Sequence, residues 1–283
     1  MKIQVVVDNY TLIDRYYVGE PAVSYYIEMG GMRILFDVGY SDVFLKNAKA
    51  MGIDLQRLTH IVISHGHNDH TGGLAYMCAD RMGINRARPD IELIAHPGCF
   101  DAKECDGEDI GSPWSQEVVE QCFHYIPAAE PYFLSEHCVF LGHIPRKNGF
   151  EGRDGIGMKM QPGGKWCSDT LEDDSALVCR TDKGLFIITG CSHSGICNIV
   201  DYAVNVCRDQ RIVGILGGFH LFDVDQRLEQ TVRFLENAGV KTLYPCHCVS
   251  LKAKIKMAGR LHVEEVGVGT ELILPEHGSF PGI

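Results

Sequence analysis

The chain has 283 residues, of which 45% are hydrophobic and 22% charged, and its formal net charge is −11. This balance is typical of a globular protein that buries a full core, as one large domain or two small ones. Lysine and arginine form no basic stripe, so nucleic acid is not expected as a partner. No apolar run has the length of a membrane span, and the first eight residues resemble a strand rather than a signal peptide. Together with twelve cysteines in so long a chain, this predicts no membrane partner and reduced thiols in the cytoplasm.

The first part of the chain predicts short strands and two helices. Apolar alternation predicts strands at 2–8, 22–28, 32–37, 59–64 and 91–96, and Gly30-Gly31 has the composition of a hairpin turn. Helical spacing predicts helices over 41–51, ended by Gly52, and over 72–81.

Residues 97–150 have the least regular pattern, with one predicted helix at 115–123. We interpret this segment as an insertion that forms a lid or a substrate-binding rim, with a surface excursion of no function as the equal alternative. Its aromatic residues Trp114, Phe123 and Tyr125 could form a wall against a planar substrate ring.

The second half alternates strands and helices. Strands are predicted at 174–179, 184–189, 212–216, 241–245 and 271–274, and helices at 196–206, 223–238 and 251–257. Alternation in two halves that each begin with strands fits two packed sheets with helices outside.

A dense group of polar side chains follows the apolar strand that ends near Ile63. His65, His67, Asp69 and His70 are four potential metal ligands within six residues. The spacing of His65 and His67 puts both imidazoles on the same side of an extended loop. Asp69 and His70 are adjacent, so their side chains diverge and suit a second ion or a water. Imidazole and carboxylate ligands fit zinc, iron or manganese, and a paired site fits hydrolysis.

Three further histidine-containing stretches follow predicted strands of the second half. They contain Cys191 and His193, then His220, and finally His247. Loops at the carboxyl ends of successive strands can converge, so we expect these residues to join the first group in one site.

The motif S-H-G-H-N-D-H-T-G-G-L at 64–74 resembles the metal-binding signature of the metallo-β-lactamase superfamily. L-F-D-V-G at 35–39 resembles its second strand, whose aspartate, here Asp37, braces the metal loop. The resemblance implies an α/β (α+β) fold, the αββα sandwich, with residues 1–283 as a single domain of two similar halves.

The resemblance also implies roles for the second-half residues. His247 matches the last metal-binding histidine of the superfamily, and Cys191 stands where many members have an aspartate that bridges two metals. His193 is the best remaining donor to complete the first metal site. The superfamily usually takes that ligand from an earlier loop, where His143 is the candidate, so the assignment stays open.

His220 is expected to contact a substrate phosphate or carboxylate, with metal ligation as the alternative, and Asp69 is expected to orient the nucleophile or carry its proton. The predicted cofactors are two divalent transition-metal ions, zinc first, with iron or manganese as alternatives. Arg146 and Lys147 are candidates to hold a small anionic substrate. The alternative is that they belong to a solvated charged turn. Self-association into a homo-oligomer is left open.

Further segments, such as I-P-R-K-N-G-F-E at 144–151 and P-C-H-C at 245–248, resemble one branch of the superfamily. Its members are called 7,8-dihydropterin-6-methyl-4-(β-D-ribofuranosyl)aminobenzene-5′-phosphate synthase-like proteins. The ligand set favours a hydrolase of a phosphoester, lactone or amide. The branch suggests a pterin-linked synthase as the alternative. A di-iron redox protein is less favoured, because such members usually carry glutamate at the position of His67 and add a flavin domain.

Overall fold

The computed structural model describes residues 1–77, 87–151, 155–276 and 280. The chain divides into two compact units. The first comprises Met1–Ala129, Gly155–Asp173 and Gly267–Ile273, and the second the described residues within Glu130–Asp154, Asp174–Val266 and Leu274–Ile283. Each unit has a core of its own. The single domain over 1–283 stays a prediction.

The strands of the described residues are β1 (Lys2–Val7), β2 (Ser24–Met29), β3 (Met32–Phe36), β4 (His60–Val62), β5 (Arg88–Ala95), β6 (Lys103–Cys105), β7 (Glu108–Asp109), β8 (Phe123–Pro127), β9 (Tyr132–Ser135), β10 (Cys138–Phe140), β11 (Met158–Gln161), β12 (Lys165–Ser168), β13 (Ala176–Thr181), β14 (Gly184–Thr189), β15 (Ile212–Gly217), β16 (Leu243–Pro245) and β17 (Glu271–Ile273). The helices are α1 (Val43–Ala50), α2 (Asn68–Thr71), α3 (Leu74–Met77), α4 (Gln116–Cys122), α5 (Ile196–Cys207), α6 (Gln226–Asn237) and α7 (Leu251–Ala258). Short 3-10 turns lie at Leu55–Arg57 and Pro97–Phe100.

The first unit contains a seven-stranded sheet in the order β17-β1-β2-β3-β4-β5-β8. Strands β17, β1, β2 and β3 pair antiparallel, and β3, β4, β5 and β8 pair parallel. Gly30 and Gly31 form the predicted hairpin turn, with φ of +54° and +83° that glycine adopts without strain.

The parallel part of this sheet places the predicted site residues. Apolar runs such as Ile34–Phe36 are fully buried, as expected for strands covered on both faces. Because β3 and β4 are parallel neighbours with Phe36 opposite Val62, Asp37 and Ser64 emerge at the same edge of the sheet.

The second unit contains a six-stranded sheet in the order β16-β15-β14-β13-β10-β9. Strands β13 and β14 form an antiparallel pair, whereas β14, β15 and β16 are parallel neighbours. The loops that carry Cys191, His220 and His247 therefore leave three adjacent strands at one sheet edge, as predicted from the strand ends. Apolar residues of α5 and α6 pack in the core of this unit.

Residues 97–150 differ from the irregular insertion that the sequence predicts. They contain β6, β7, β8, β9, β10 and α4, and β6 and β7 join β11 and β12 in a four-stranded antiparallel sheet. The strands of this small sheet have only two to four residues and include charged ones, so alternation gives little signal. A lid or rim function of the segment stays a prediction.

The predicted aromatic wall is wrong for Phe123, which is buried, and stays a prediction for Trp114 and Tyr125, which are partly exposed. Phe123 is buried in the core of the first unit, and Trp114 packs against that core, with its ring centroid 6.5 Å from that of Phe123. Tyr125 also packs against it, beside Phe100. Of the predicted helix over 72–81, the described residues contain the short helix α3, and residues 78–81 lie outside them.

A buried charge cluster connects the small sheet to the loop that carries His65, His67 and His70, here called the histidine loop. Lys103 on β6 is 1% exposed, and its Nζ lies 2.7 Å from Asp169 and 3.1 Å from Asp173. Burial lowers the pKa of Lys103, but the two carboxylates outweigh it and raise the pKa to about 12. Asp173 also accepts the backbone N–H of Gly66 at 2.8 Å. The cluster therefore fixes the backbone between His65 and His67.

Substitution Lys103→Met should lower the free energy of unfolding by about 3–5 kcal/mol, because two carboxylates stay buried without their cation. Denaturant unfolding of the purified protein measures this. Lys159→Met is the matched control, since Lys159 lies opposite Lys103 on β11 and is partly exposed; it should change stability by less than about 0.5 kcal/mol. Equal effects of both substitutions would contradict the structural importance of the cluster.

Candidate functional site

The carboxylate of Asp37 organises the polar groups that follow β3 and β4. It is fully buried and sits on left-handed backbone, with φ of +53°. Oδ1 accepts the backbone N–H of Ser64 at 2.7 Å, and Oδ2 accepts the Ser64 hydroxyl at 2.8 Å. Oδ2 also lies 2.7 Å from Nδ1 of His70. An ionised carboxylate only accepts hydrogen bonds, so each of these partners donates.

This arrangement determines the tautomer of His65. Because the Ser64 hydroxyl donates its hydrogen bond to Asp37, the hydroxyl oxygen accepts a hydrogen bond from Nδ1–H of His65, 3.0 Å away. The lone pair of His65 Nε2 then faces Nδ1 of His67 at 3.0 Å. Burial lowers the pKa of His67 to about 4, so this imidazole is neutral at pH 7, the form that binds metals.

His70 is oriented in the same way. With Nδ1–H donated to Asp37, the lone pair of His70 Nε2 faces the carboxylate of Asp69, whose Oδ2 is 3.5 Å away. Two acceptors in this position repel each other unless a cation or a proton lies near them. Asp69 is partly exposed, whereas His70 is fully buried.

Glycines let the histidine loop pack tightly against its surroundings. A Cβ added at Gly66 would lie 2.0 Å from the carbonyl oxygen of Cys99, and one at Gly73 would lie 2.0 Å from that of Val38. Both contacts are with backbone, so a side chain would displace the loop. The backbone of Asn68 adds a hydrogen bond to the carbonyl of Ile110 at 2.8 Å.

In the second unit, Cys191 and His247 lie next to each other at the ends of β14 and β16. Nε2 of His247 is 3.2 Å from Sγ of Cys191, and both side chains are buried. His193 is also buried, and its ring centroid lies 4.6 Å from that of His220. Asp174 fixes the loop after Cys191, because it accepts both the N–H and the hydroxyl of Ser194.

Cys248 is a functional candidate that the sequence analysis left without a role. One ligand atom from each of Cys191, His220 and Cys248 lies within 4.8 Å of the others. Burial raises the pKa of the Cys248 thiol, but hydrogen bonds with Cys191 and His220 and the electrostatic influence of the neighbouring His247 outweigh it, so the pKa is well below its usual value. The motif P-C-H-C contained this signal. The grouping is compatible with metal ligation by His220, the second of its two predicted roles, and both roles stay predictions.

The segment at 144–151 has a positioning role in the second unit. Glu151 accepts the N–H groups of Cys197 and Asn198 at 2.8 and 3.0 Å, at the N-terminus of α5, where a negative charge is stabilising. Asn198 in turn accepts the N–H groups of Lys147 and Asn148. Substrate binding by Arg146 or Lys147 stays a prediction.

The structure brings the sequence-predicted ligands together within each unit. His65, His67, Asp69 and His70 share one loop of the first unit, and Cys191, His193, His220 and His247 share one sheet edge of the second. His143 in the second unit is exposed, and which residue completes the first metal site stays a prediction.

These donors fit divalent transition metals. Two imidazole nitrogens on one tetrahedral zinc ion lie about 3.3 Å apart for bonds of about 2.0–2.1 Å, and the facing nitrogens of His65 and His67 are 3.0 Å apart. His70 has its second nitrogen fixed by a carboxylate, the usual arrangement of a metal-binding histidine.

Comparison with known proteins identifies the family. The model of the "Metallo-beta-lactamase superfamily" matches residues 17–93. An uncharacterized protein of Methanocaldococcus jannaschii is 32% identical over 260 residues, which cover 90% of this chain and 93% of that protein. The chain belongs to the metallo-β-lactamase superfamily. The superfamily fold predicted from the sequence is thereby confirmed.

Two further similar proteins are informative. The 7,8-dihydropterin-6-methyl-4-(beta-D-ribofuranosyl)-aminobenzene-5'-phosphate synthase of M. jannaschii is 29% identical over 268 residues, covering 90% of this chain and 89% of the synthase. This confirms the resemblance to that branch. A metal-dependent hydrolase of the beta-lactamase superfamily, known from its crystal structure, is 29% identical in sequence, with a TM-score of 0.81 over 98% of this chain and 100% of the hydrolase.

Among the described residues, no helix has the length and apolar character to span a membrane.

Substitution Asp37→Asn should weaken metal binding by about 10–100-fold, because the partner that orients His70 and, through Ser64, His65 loses its charge. Asparagine tolerates left-handed backbone, so the fold should survive. Competition with a chromophoric chelator measures the affinity. Asp42→Asn, at an exposed ion pair with Lys46, is the control and should leave the affinity unchanged. An unchanged affinity in Asp37→Asn would refute this role.

Proposed function

We propose that the chain is a metal-dependent hydrolase with a dinuclear metal centre that acts on a small phosphoester, lactone or amide. The proposed ligands are His65, His67, Asp69, His70, Cys191, His193 and His247. The proposed ions are divalent transition metals, zinc first and iron or manganese as alternatives.

The observation that carries the proposal is the hydrogen-bond chain from Asp37 through Ser64 to His65, together with the direct bond to His70. One buried carboxylate holds two imidazoles in the tautomers that direct Nε2 lone pairs toward His67 and Asp69. Ligand orientation of this kind is costly to build and characteristic of metal centres. The hydrolase class is supported by the similarity to the metal-dependent hydrolase of the superfamily.

Bound ions would lower the pKa of water and polarise a carbonyl or phosphoryl oxygen of the substrate. The residues of the chain supply orientation and proton transfer. Asp69 is the proposed proton carrier, since its carboxylate is partly exposed and therefore reachable by substrate and water. Asp37 keeps His70 from rotating during the reaction because its hydrogen bond is buried.

A pterin-linked synthase activity is the second candidate. The observation in its favour is the 29% identity to the M. jannaschii synthase over 90% of the chain. The same donor set would serve as a Lewis acid in such a reaction. Fold and family do not determine the substrate, so only assays distinguish the two candidates.

The substrate is proposed to be small and anionic. The net charge of −11 opposes long-range attraction of anions, so capture must be local, at the metal ions and nearby cations. A reducing cytoplasm is part of the proposal, supported by the twelve cysteines in a chain of this length. No nucleic acid or membrane partner is proposed, and homo-oligomerisation is left open.

The purified protein should contain about two transition-metal ions per chain, because its donors exceed the four that one tetrahedral ion uses. Elemental analysis of protein prepared without chelator measures this. His193→Ala should lose about one equivalent if His193 completes the first site, whereas Cys191→Ser should weaken both if Cys191 bridges. If neither variant loses metal, the missing ligand lies elsewhere, and His143→Ala is the next variant. Protein that remains metal-free after soaking would refute the dinuclear centre.

Activity is expected first on small phosphodiesters or ring lactones, with reduced pterins binding even where they do not react. A chromogenic phosphodiester, a lactone panel and a fluorescence titration with a reduced pterin test this on the metal-loaded protein. Fast lactone turnover without pterin binding would support a plain hydrolase and reject the synthase candidate. If neither turnover nor pterin binding is detected in the three assays, the proposed substrate class is wrong.

A further inference from the structure

Two thiols and one imidazole form a compact donor group in the second unit. Cys191, Cys248 and His220 each place one ligand atom within 4.8 Å of the other two. The proposed dinuclear centre uses Cys191 but gives no function to Cys248, and the metal-binding signature of the first unit includes neither cysteine.

The fold builds this group from three adjacent strands. Cys191 follows β14, His220 follows β15 and Cys248 follows β16, and these strands are parallel neighbours. The loops after β15 and β16 continue to pair, with a bridge between Leu221 and Val249. The donors therefore lie together because of strand register, not because of a chance approach of surface side chains.

The position of the Cys248 sulfur is fixed by backbone on two sides. The N–H of His220 donates to Sγ at 3.3 Å, and Sγ lies 3.6 Å from the carbonyl oxygen of Cys191. A Cβ added at Gly218 would lie 2.4 Å from the same sulfur. The absence of a side chain at residue 218 therefore leaves room for the sulfur at this edge of the sheet.

The spacing and chemistry of the group match a thiophilic ion. Two thiolates on a tetrahedral zinc ion lie about 3.8 Å apart for bonds of about 2.3 Å, within the 4.8 Å limit of the group. Nδ1 of His220 is buried and has no hydrogen-bond partner among the described residues. Buried nitrogens without a hydrogen-bond partner are rare in folded proteins, and a metal ion bound at the nitrogen satisfies such an atom.

We propose that Cys191, Cys248 and His220 bind one thiophilic divalent ion, zinc or ferrous iron, with Cys248 as a ligand in its own right. Both thiols lose their protons to solvent on binding, and the imidazole binds in its neutral form. Two sulfur ligands favour such ions over manganese and magnesium. Cys191 is shared with the proposed dinuclear centre, but the site needs no residue of the first unit, so the two proposals can fail separately.

The first test uses Co²⁺ as a spectroscopic probe of thiolate ligation, in reduced, metal-stripped protein. The wild type should show a near-ultraviolet thiolate-to-cobalt charge-transfer band. Cys248→Ser and Cys191→Ser should each remove roughly half of the band, the double variant should abolish it, and His220→Ala should weaken Co²⁺ binding. Cys167→Ser is the control, since Cys167 lies on β12 of the first unit, outside the group. It should leave the band unchanged.

A second test needs no substitution and so does not depend on variants that fold. Wild-type protein with and without Zn²⁺ is treated with an alkylating reagent, and each cysteine is quantified by peptide mass spectrometry. Zinc should protect Cys191 and Cys248 at least about 10-fold, as expected for coordinated thiolates, which are blocked as nucleophiles. It should leave Cys167 unaffected.

The outcomes separate the two proposals. A band that persists in His65→Ala and halves in Cys248→Ser supports the two-thiolate site whatever the state of the dinuclear centre. A band that is unchanged in Cys248→Ser, with no zinc protection of Cys248, overturns the two-thiolate site and leaves the dinuclear centre standing. Bound Co²⁺ without any charge-transfer band overturns ligation by both cysteines.

Discussion

The hydrogen bonds of the Asp37 carboxylate are the constraint on which the histidine loop depends. Burying an ionised carboxylate is costly unless its oxygens are fully hydrogen-bonded, and Asp37 meets this requirement with Ser64 and His70. The register of β3 against β4 brings these groups to one sheet edge. The same contacts that make the buried charge tolerable also select the histidine tautomers. Stability and ligand orientation therefore depend on the same set of hydrogen bonds.

Backbone strain is concentrated at the donor-bearing loops. Of the eight non-glycine residues with positive φ in the described chain, four are Asp37, Ser192, His220 and His247. Left-handed backbone costs about 1–3 kcal/mol per such residue, and it persists only where surrounding contacts enforce it. In the second unit those contacts include the Ser192 hydroxyl, which donates to the carbonyl of Gly218 at 2.6 Å. The sheet holds the ends of these parallel strands in register, and this keeps the loops that follow them in the strained conformation.

The sequence was informative where function and local pattern coincide. The spacing of His65 and His67, the strand ends before His220 and His247, and the helix after Gly195 are all local signals, and the structure contains each of them. The contacts that hold the histidine loop could not be predicted from the sequence, because they join residues far apart in the chain. Gly66 and Asp173 are 107 residues apart, and Lys103 and Asp169 are 66 apart. Cys248 was missed for another reason. A cysteine beside a predicted ligand, as in P-C-H-C, is a weak signal by itself, and the register of β15 against β16 is what relates Cys248 to His220.

The two donor groups differ in chemical softness, and this difference bears on function more than overall similarity does. The chain is 29% identical both to a protein named as a synthase and to one described as a hydrolase, so identity cannot choose between the activities. The first unit supplies imidazole and carboxylate donors, which accept many divalent ions. The second adds the two cysteines of the proposed site, whose thiolates would restrict the choice to thiophilic ions. A metal ion that acts as a strong Lewis acid polarises a phosphoryl or carbonyl group and so favours nucleophilic attack on it. In the proposed site, the ion that the two thiolates bind would therefore limit which of the superfamily's reactions this chain can perform.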